Sequence, residues 1–275
     1  MAKLDGKVAL VSGSGRGIGK AIALKLASEG ARLVVNDLDP EPAAETLAAV
    51  KAIGGEAVSV VGDVTEADFA DRFIGAATAA YGGIDIIVNN AGYTWDGVIQ
   101  KMTDAQWQAM LDVHVTAPFR ILRAAAGVIK SAAKQEAAEG RRVTRKVVNI
   151  SSVSGLFGNA GQVNYGAAKA AVVGMTRSLA KEWGRYNVTV NCVAFGLIET
   201  RLTQPVTAEG AGFLLPASEV RLGMPEEALA AIKKATPLGR AGSPEDAAGA
   251  VYLLCSPESD FISGQVLIAS GGLVL

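Results

Sequence analysis

Tyr165 and Lys169 stand four residues apart, a spacing that stacks two side chains on one face of a helix. A free tyrosine has a pKa near 10 and is a poor acid or base at pH 7. An ammonium one turn away stabilises the phenolate, so this pair can move a proton at neutral pH. Ser152 lies 13 residues before Tyr165 at the end of an apolar run, where its hydroxyl could bind a carbonyl or hydroxyl oxygen. An incidental surface Tyr–Lys pair is the plainer reading of these residues taken alone.

A second group suits a phosphate. Gly13, Gly17 and Gly19 punctuate the stretch Gly13-Ser14-Gly15-Arg16-Gly17-Ile18-Gly19, between an apolar run and a helical pattern. Glycines let the backbone approach a pyrophosphate, and the following helix offers free N–H groups and a positive dipole end. An ordinary glycine turn is the alternative. Asp37 follows Gly19 by 18 residues at the end of a second apolar run. A carboxylate there accepts bonds from a ribose diol and repels a 2′-phosphate, which favours NAD over NADP. Arg16 argues the other way, since a guanidinium can hold that phosphate.

Short apolar runs alternate with helical patterns to position these groups. Strands are expected at Lys7–Ser12, Arg32–Asp37, Ala57–Gly62, Ile84–Asn89, Lys146–Ser151, Val188–Val193 and Gln265–Ala269. Helices are expected at Gly17–Gly30, Pro40–Ile53, Glu66–Tyr81, Thr103–Lys130 with a kink at Pro118, Val163–Trp183, Pro225–Ala235 and Pro244–Leu254. Nearly continuous apolar strands belong to a sheet covered on both faces, and repeated βα units wind it in parallel. The expected fold is α/β, a doubly wound parallel sheet (a Rossmann fold) of about seven strands, formed by residues 1–275 as one domain. The irregular stretch Thr200–Pro225, within a wider 200–235 region, is a candidate lid over the substrate. Trp95, Phe157, Phe213, Leu214 and Leu215 are candidates for an apolar substrate wall.

Composition narrows the function. The 275 residues carry 26 Lys plus Arg against 27 Asp plus Glu, which argues against a nucleic-acid partner. Neither of the two cysteines, Cys192 and Cys255, belongs to a Cys-x-x-Cys pair, and the chain has one histidine, so no metal site is expected. No apolar run reaches a membrane span. Asp5 and Gly6 interrupt the apolar core that a signal peptide would need, so a cytoplasmic location is expected.

Gly13-x-x-x-Gly17-Ile18-Gly19, Asp63-Val64, Asn89-Asn90-Ala91-Gly92, Ser152 and Tyr165-x-x-x-Lys169 together resemble the short-chain dehydrogenase/reductase family, from about Leu4 to Gly272. The stretches Gly158–Tyr165 and Gly92–Thr116 look most like its 3-oxoacyl-acyl-carrier-protein reductase branch, while Val34-Val35-Asn36-Asp37 is similar to NAD-linked hydroxyacyl and hydroxysteroid dehydrogenases.

The resemblance implies hydride transfer between a nicotinamide cofactor, NAD or NADP, and a secondary alcohol or ketone. An acyl thioester is one such substrate. Tyr165 would be the general acid/base, Lys169 would bond the nicotinamide ribose, and Ser152 would polarise the reacting oxygen. Asp63 and Val64 would meet the adenine, Asn90, Ala91 and Gly92 the ribose region, and Ile198 and Thr200 the nicotinamide carboxamide. A homotetramer is implied as well. A non-catalytic dinucleotide sensor on the same fold is the reading from another class; the intact Ser152, Tyr165 and Lys169 argue against it.

The sequence departs from the family at three places. His114 stands where an Asn of the fourth helix usually helps hold a relay water; the imidazole could carry the relay or simply pack. Phe195-Gly196 replaces the usual Pro-Gly, and Ser12 replaces a Thr.

Overall fold

The computed structural model describes residues 2–203, 213–214, 221–223 and 225–273. Its elements run β1 (Val8–Val11), α1 (Gly17–Ser28), β2 (Arg32–Asp37), α2 (Pro40–Ala52), β3 (Ala57–Val61), α3 (Phe69–Tyr81), β4 (Ile86–Asn89), α4 (Asp104–Leu111), α5 (Ala117–Ala138), β5 (Arg145–Ser152), α6 (Val153–Phe157), α7 (Val163–Trp183), β6 (Val188–Phe195), β7 (Phe213–Leu214), β8 (Arg221–Leu222), α8 (Glu226–Ala235), α9 (Pro244–Cys255) and β9 (Val266–Ala269).

Seven strands form one sheet in the order β3-β2-β1-β4-β5-β6-β9, and every neighbouring pair is parallel. The expected doubly wound sheet is thus present. The order reverses direction beside β1, which opens a crevice at the C-terminal ends of β1 and β4, where such sheets bind ligands. The two-residue strands β7 and β8 pair separately and antiparallel.

Successive strand residues face opposite sides of the sheet, and here both sides are covered. In β1, Ala9 and Val11 pack with Ile22 and Leu26 of α1 and Val251 of α9. Val8 and Leu10 pack with Phe73 of α3 and Ile121 of α5 on the other face. Burial on both faces explains why the strands read as continuous apolar runs. Among the described residues no helix is long and apolar enough to cross a membrane.

Three expectations shift. The third helix starts at Phe69 rather than Glu66, because the Asp63 carboxylate accepts from the Thr65 N–H and hydroxyl, at 2.8 and 2.7 Å, and holds a turn there. The expected long helix from Thr103 divides into α4 and α5 around a π turn at Asp112–Thr116, where the Ala117 N–H bonds to the Asp112 carbonyl. The irregularity therefore precedes Pro118, which sits just after the π turn, in the first turn of α5. The short α6 after β5 was not expected. Of the region 200–235, residues 204–212, 215–220 and 224 lie outside the described residues. Leu215 is among them, and for Phe213 and Leu214 only the backbone is described.

Candidate active site

The phosphate loop joins β1 to α1. Gly13 and Gly17 take positive φ, 62° and 53°, a region that favours glycine. A Cβ on Gly19 would enter the Gly13 carbonyl, so this turn is closed to larger residues. Arg16 precedes the helix without capping it by its side chain, and no acidic residue lies in the first turn. That leaves the N-terminus of α1 suited to an anion.

Two residues outside the loop pin it. Asn36 accepts from the Gly13 N–H at 2.9 Å and donates to the Val60 and Gly62 carbonyls. The Ser12 hydroxyl accepts from the Asn90 and Ala91 N–H groups at 3.0 and 3.1 Å. Ser12 therefore ties the β1 and β4 loops together, a task a Thr hydroxyl can equally perform. The Asn90 amide turns inward to the Ser12 and Gly13 carbonyls, at 2.9 and 3.0 Å.

At the end of β2, Asp37 is buried, and its carboxylate lies 3.7 Å from the Arg16 guanidinium. Arg16 also pairs with Asp39 at 2.7 Å. Arg201 faces the same three residues; burial first, and then Arg16, lower its pKa, while Asp37 and Asp39 oppose the change. Two carboxylates and two guanidiniums thus share this corner. Thr200 lies over the loop, its methyl 3.7 Å from where a Gly17 Cβ would sit. Ile198 is buried beneath it, and its carbonyl accepts from the Thr203 hydroxyl. Val64 is buried in the core, and Asp63 beside it holds the turn before α3.

The second half of the site lies at the ends of β5 and β6. Tyr165 and Lys169 project from the first turns of α7, and the Lys169 Nζ lies 5.6 Å from the Tyr165 ring centroid. Ser152 closes β5 and, as the N-cap of α6, accepts from the Ser154 N–H. Burial drives the Tyr165 phenol up to about 12, a side-chain hydrogen bond with Ser152 opposes the rise, and the Asp96 charge adds to it. Acidification by the ammonium, the expectation from spacing alone, does not appear in the protein by itself. Lys169 is buried too, donates to the Ile150 carbonyl at 2.9 Å, and is lowered by burial to about 8. It still carries its charge at pH 7.

His114 is buried in the π turn. Its ring meets the Tyr165 ring edge-on, with centroids 5.2 Å apart. Among the described residues its Nδ1 has no hydrogen-bond partner, nor has Asn89 Oδ1. Both residues line a narrow crevice with Lys169 and Asn149. Gly92 lies against the imidazole, so closely that a Cβ there would collide with its Cε1.

Three residues that frame this site fall within the stretches that resemble the reductase branch, but nothing in the sequence gave them a role of their own. Asn164 is fully buried; its amide donates to the Trp95 and Gln106 carbonyls, and its oxygen accepts from the Tyr165 N–H at 2.8 Å. It thereby sets where α7 begins. Gln162 and Asp96 pair across the two loops at 2.8 Å. Single polar residues in loops have no periodicity to betray them.

The residues present fit a nicotinamide dinucleotide: a glycine cradle on a helix N-terminus, a strand-end carboxylate and a buried ammonium beside a phenol. Among the described residues no group of acidic, His or Cys side chains could hold a metal ion.

A family model described as enoyl-(acyl carrier protein) reductase matches residues 13–274. A 3-oxoacyl-[acyl-carrier-protein] reductase of Synechocystis is 38% identical over all of both chains. The (2S)-[(R)-hydroxy(phenyl)methyl]succinyl-CoA dehydrogenase subunit BbsD of Thauera aromatica is 36% identical over 98% of this chain and 97% of its own. A solved structure described as a short-chain alcohol dehydrogenase of Sinorhizobium meliloti superposes with a TM-score of 0.83 at 30% identity, over 98% of this chain and 97% of that one.

Proposed function

This chain belongs to the short-chain dehydrogenase/reductase family, near its 3-oxoacyl-acyl-carrier-protein reductases, and from that membership we propose how its own residues perform the reaction. The protein is an oxidoreductase acting on CH–OH and keto groups with a nicotinamide cofactor. Tyr165 is the general acid and base. In reduction its hydroxyl proton goes to the keto oxygen as the carbon gains a C–H bond; in oxidation the phenolate takes the alcohol proton back. Ser152 donates to the same oxygen and holds it against the phenol. The Lys169 ammonium supplies the positive field that a phenolate needs and a donor for the nicotinamide ribose. When bound, a nicotinamide would supply or accept the hydride. The loop Gly13, Arg16, Gly17, Ile18 and Gly19, with Asp37, Asp63, Val64, Asn90, Ala91, Gly92, Ile198 and Thr200, holds the dinucleotide. Positioning and a water-poor, charged site supply most of the rate.

The observation that carries this reading is the Lys169 ammonium 5.6 Å from the Tyr165 ring, with Ser152 at the neighbouring end of β5. Tyr165→Phe should keep the fold and lower turnover about 10²–10⁴-fold, followed by nicotinamide absorbance with a ketone and 3-oxoacyl-thioester panel. Unchanged turnover in a folded variant discards the mechanism. Cofactor binding with no turnover of any substrate by the unaltered protein would point to a sensor instead.

NAD is the proposed cofactor, supported by Asp37 at the strand end. NADP has one observation in its favour, the convergence of Arg16 and Arg201 on that corner. The proposed substrate is a 3-oxoacyl or 3-hydroxyacyl thioester or a similar ketone, since both relatives above are named for thioester chemistry. Half-buried Trp95 and exposed Phe157 would meet it. A homotetramer is proposed from exposed apolar side chains in two places, Trp107 and Phe119 on α4–α5 and Leu253, Phe261 and Ile268 around α9 and β9. Light scattering reads that mass directly. A reducing cytoplasm suits the two buried free cysteines.

A further inference from the structure

Gly15 lies in the turn between β1 and α1, and unlike Gly13 and Gly17 it does not take a positive φ. Its need for glycine is therefore one of space. A Cβ at this position would stand 2.7 Å from both the Cβ and the Cγ of Asp37, and closer still to Oδ2. A rotation of the Asp37 side chain moves Cγ and the oxygens away, but the Asp37 Cβ moves only with its strand.

Neither backbone can step back. β2 pairs with β1 on one edge and β3 on the other, and the Asp37 carbonyl accepts from the Gly62 N–H at 3.1 Å. On the turn, the Ser14 N–H donates to the Asn36 carbonyl at 2.6 Å and the Ser14 hydroxyl to the Val11 carbonyl at 2.8 Å. The fully buried Thr46 of α2 donates its hydroxyl to the Gly15 carbonyl at 3.0 Å. A side chain at position 15 and the present place of the Asp37 carboxylate thus exclude each other. In that place the carboxylate accepts from the Asp39 N–H at 3.2 Å and lies 3.7 Å from the Arg16 guanidinium.

We propose that Gly15 is a specificity-determining residue: the room it leaves lets the Asp37 carboxylate lie against the phosphate loop, where it accepts from an adenosine ribose diol and turns a 2′-phosphate away. The proposal rests on the reading above that Asp37 faces that ribose. Cofactor choice then belongs to two residues acting as one, a carboxylate and the missing side chain opposite it. A methyl group at position 15 swings the carboxylate outward, which deprives NAD of its acceptor and relieves NADP of a repulsion.

The test compares Gly15→Ala, Asp37→Gly and the double variant with the unaltered protein. Asp37→Gly removes the Cβ as well as the carboxylate, and so every atom the methyl would strike. Calorimetry gives the binding of NAD and of NADP to each, and thermal unfolding is followed without cofactor. Gly15→Ala should weaken NAD about ten- to a hundredfold, as expected for lost hydrogen bonds to a charged group, and leave NADP as tight or tighter. It should also lower the unfolding temperature of the cofactor-free protein by a few degrees. On the Asp37→Gly background the same alanine should change neither binding constant by more than about twofold and leave the unfolding temperature in place. Unchanged NAD binding in Gly15→Ala overturns the proposal. So does equal weakening of NAD and NADP, which would mean that the methyl blocks the dinucleotide itself, and so does an effect of full size in the double variant. If Gly15→Ala fails to fold, Asp37→Gly must restore folding, and a double variant that stays unfolded overturns the proposal as well. Asp37→Gly alone with the preference of the unaltered protein removes the ribose reading and this inference with it. A shifted preference there, with none in Gly15→Ala, sinks the Gly15 inference alone.

Discussion

The Nε2 of His114 lies 2.8 Å from the Tyr93 carbonyl oxygen. A carbonyl only accepts, so Nε2 keeps its hydrogen and the neutral ring presents Nδ1 as a bare lone pair. Burial and then the Lys169 ammonium push the imidazole well below 6.5, against the pull of the Tyr93 bond. The pH–rate profile should therefore show no His114 ionisation near pH 6–7. The depressed pKa means that the unfolded chain binds more protons here. Stability should fall as pH drops from about 6.5, and His114→Asn should fall less steeply between pH 7 and 5. Melting temperatures at pH 7.5, 6 and 5 for both proteins check the slope.

Lys169 carries a stability cost of the same origin. Its pKa of about 8 lies below the ordinary 10.5, so between those values the unfolded state holds more protons and stability rises with pH. At pH 7 the whole penalty is present, on the order of 3 kcal/mol. Lys169→Met removes it and also the bond to the Ile150 carbonyl, which returns about 1–3 kcal/mol. The variant should be inactive yet at least as stable at pH 7 in urea titration. A drop of more than about 2 kcal/mol would contradict the argument.

Gly92 and His114 should be coupled. A Cβ on Gly92 collides with the imidazole, so Gly92→Ala should cost about 1–3 kcal/mol and displace the ring. In a His114→Ala background the same change should cost much less. Denaturant unfolding of the four proteins gives the coupling, and strict additivity would refute direct contact as the cause.

Asp37→Ala should change cofactor choice. It removes a carboxylate that repels a 2′-phosphate and leaves Arg16 paired with Asp39. The ratio of kcat/KM for NADP to that for NAD should rise at least about tenfold. A ratio that stays constant would mean that Asp37 does not face the ribose.

Much of this molecule was legible before any coordinates. Arg32–Asp37 and Val163–Trp183 begin and end where the apolar spacing puts them, because local pattern and tertiary burial agree there. Ser152, Tyr165, Lys169 and the glycine loop stood out only in combination, since each alone has an ordinary structural reading, and the structure places them at the ends of β1 and β5 and the start of α7. What escaped depends on partners distant in sequence. Asn36 reaches Gly13, Asn164 reaches Trp95, and Gln162 reaches Asp96, none of which sequence spacing can reveal. The protonation of Tyr165 escaped for a related reason: spacing announces the ammonium, whereas desolvation depends on everything packed around the ring.

The π turn at Asp112–Thr116 amounts to one surplus residue wound into an otherwise continuous helix. Losing a single codon from that stretch would restore ordinary winding, and because the wider turn already absorbs the surplus residue's rotation of about 100°, the helices on either side would keep their phase. Only the bulge would close, and His114 would be drawn out of its place against Tyr93. The shorter gene would encode a more regular rod that still folds, with the damage confined to the imidazole behind Tyr165.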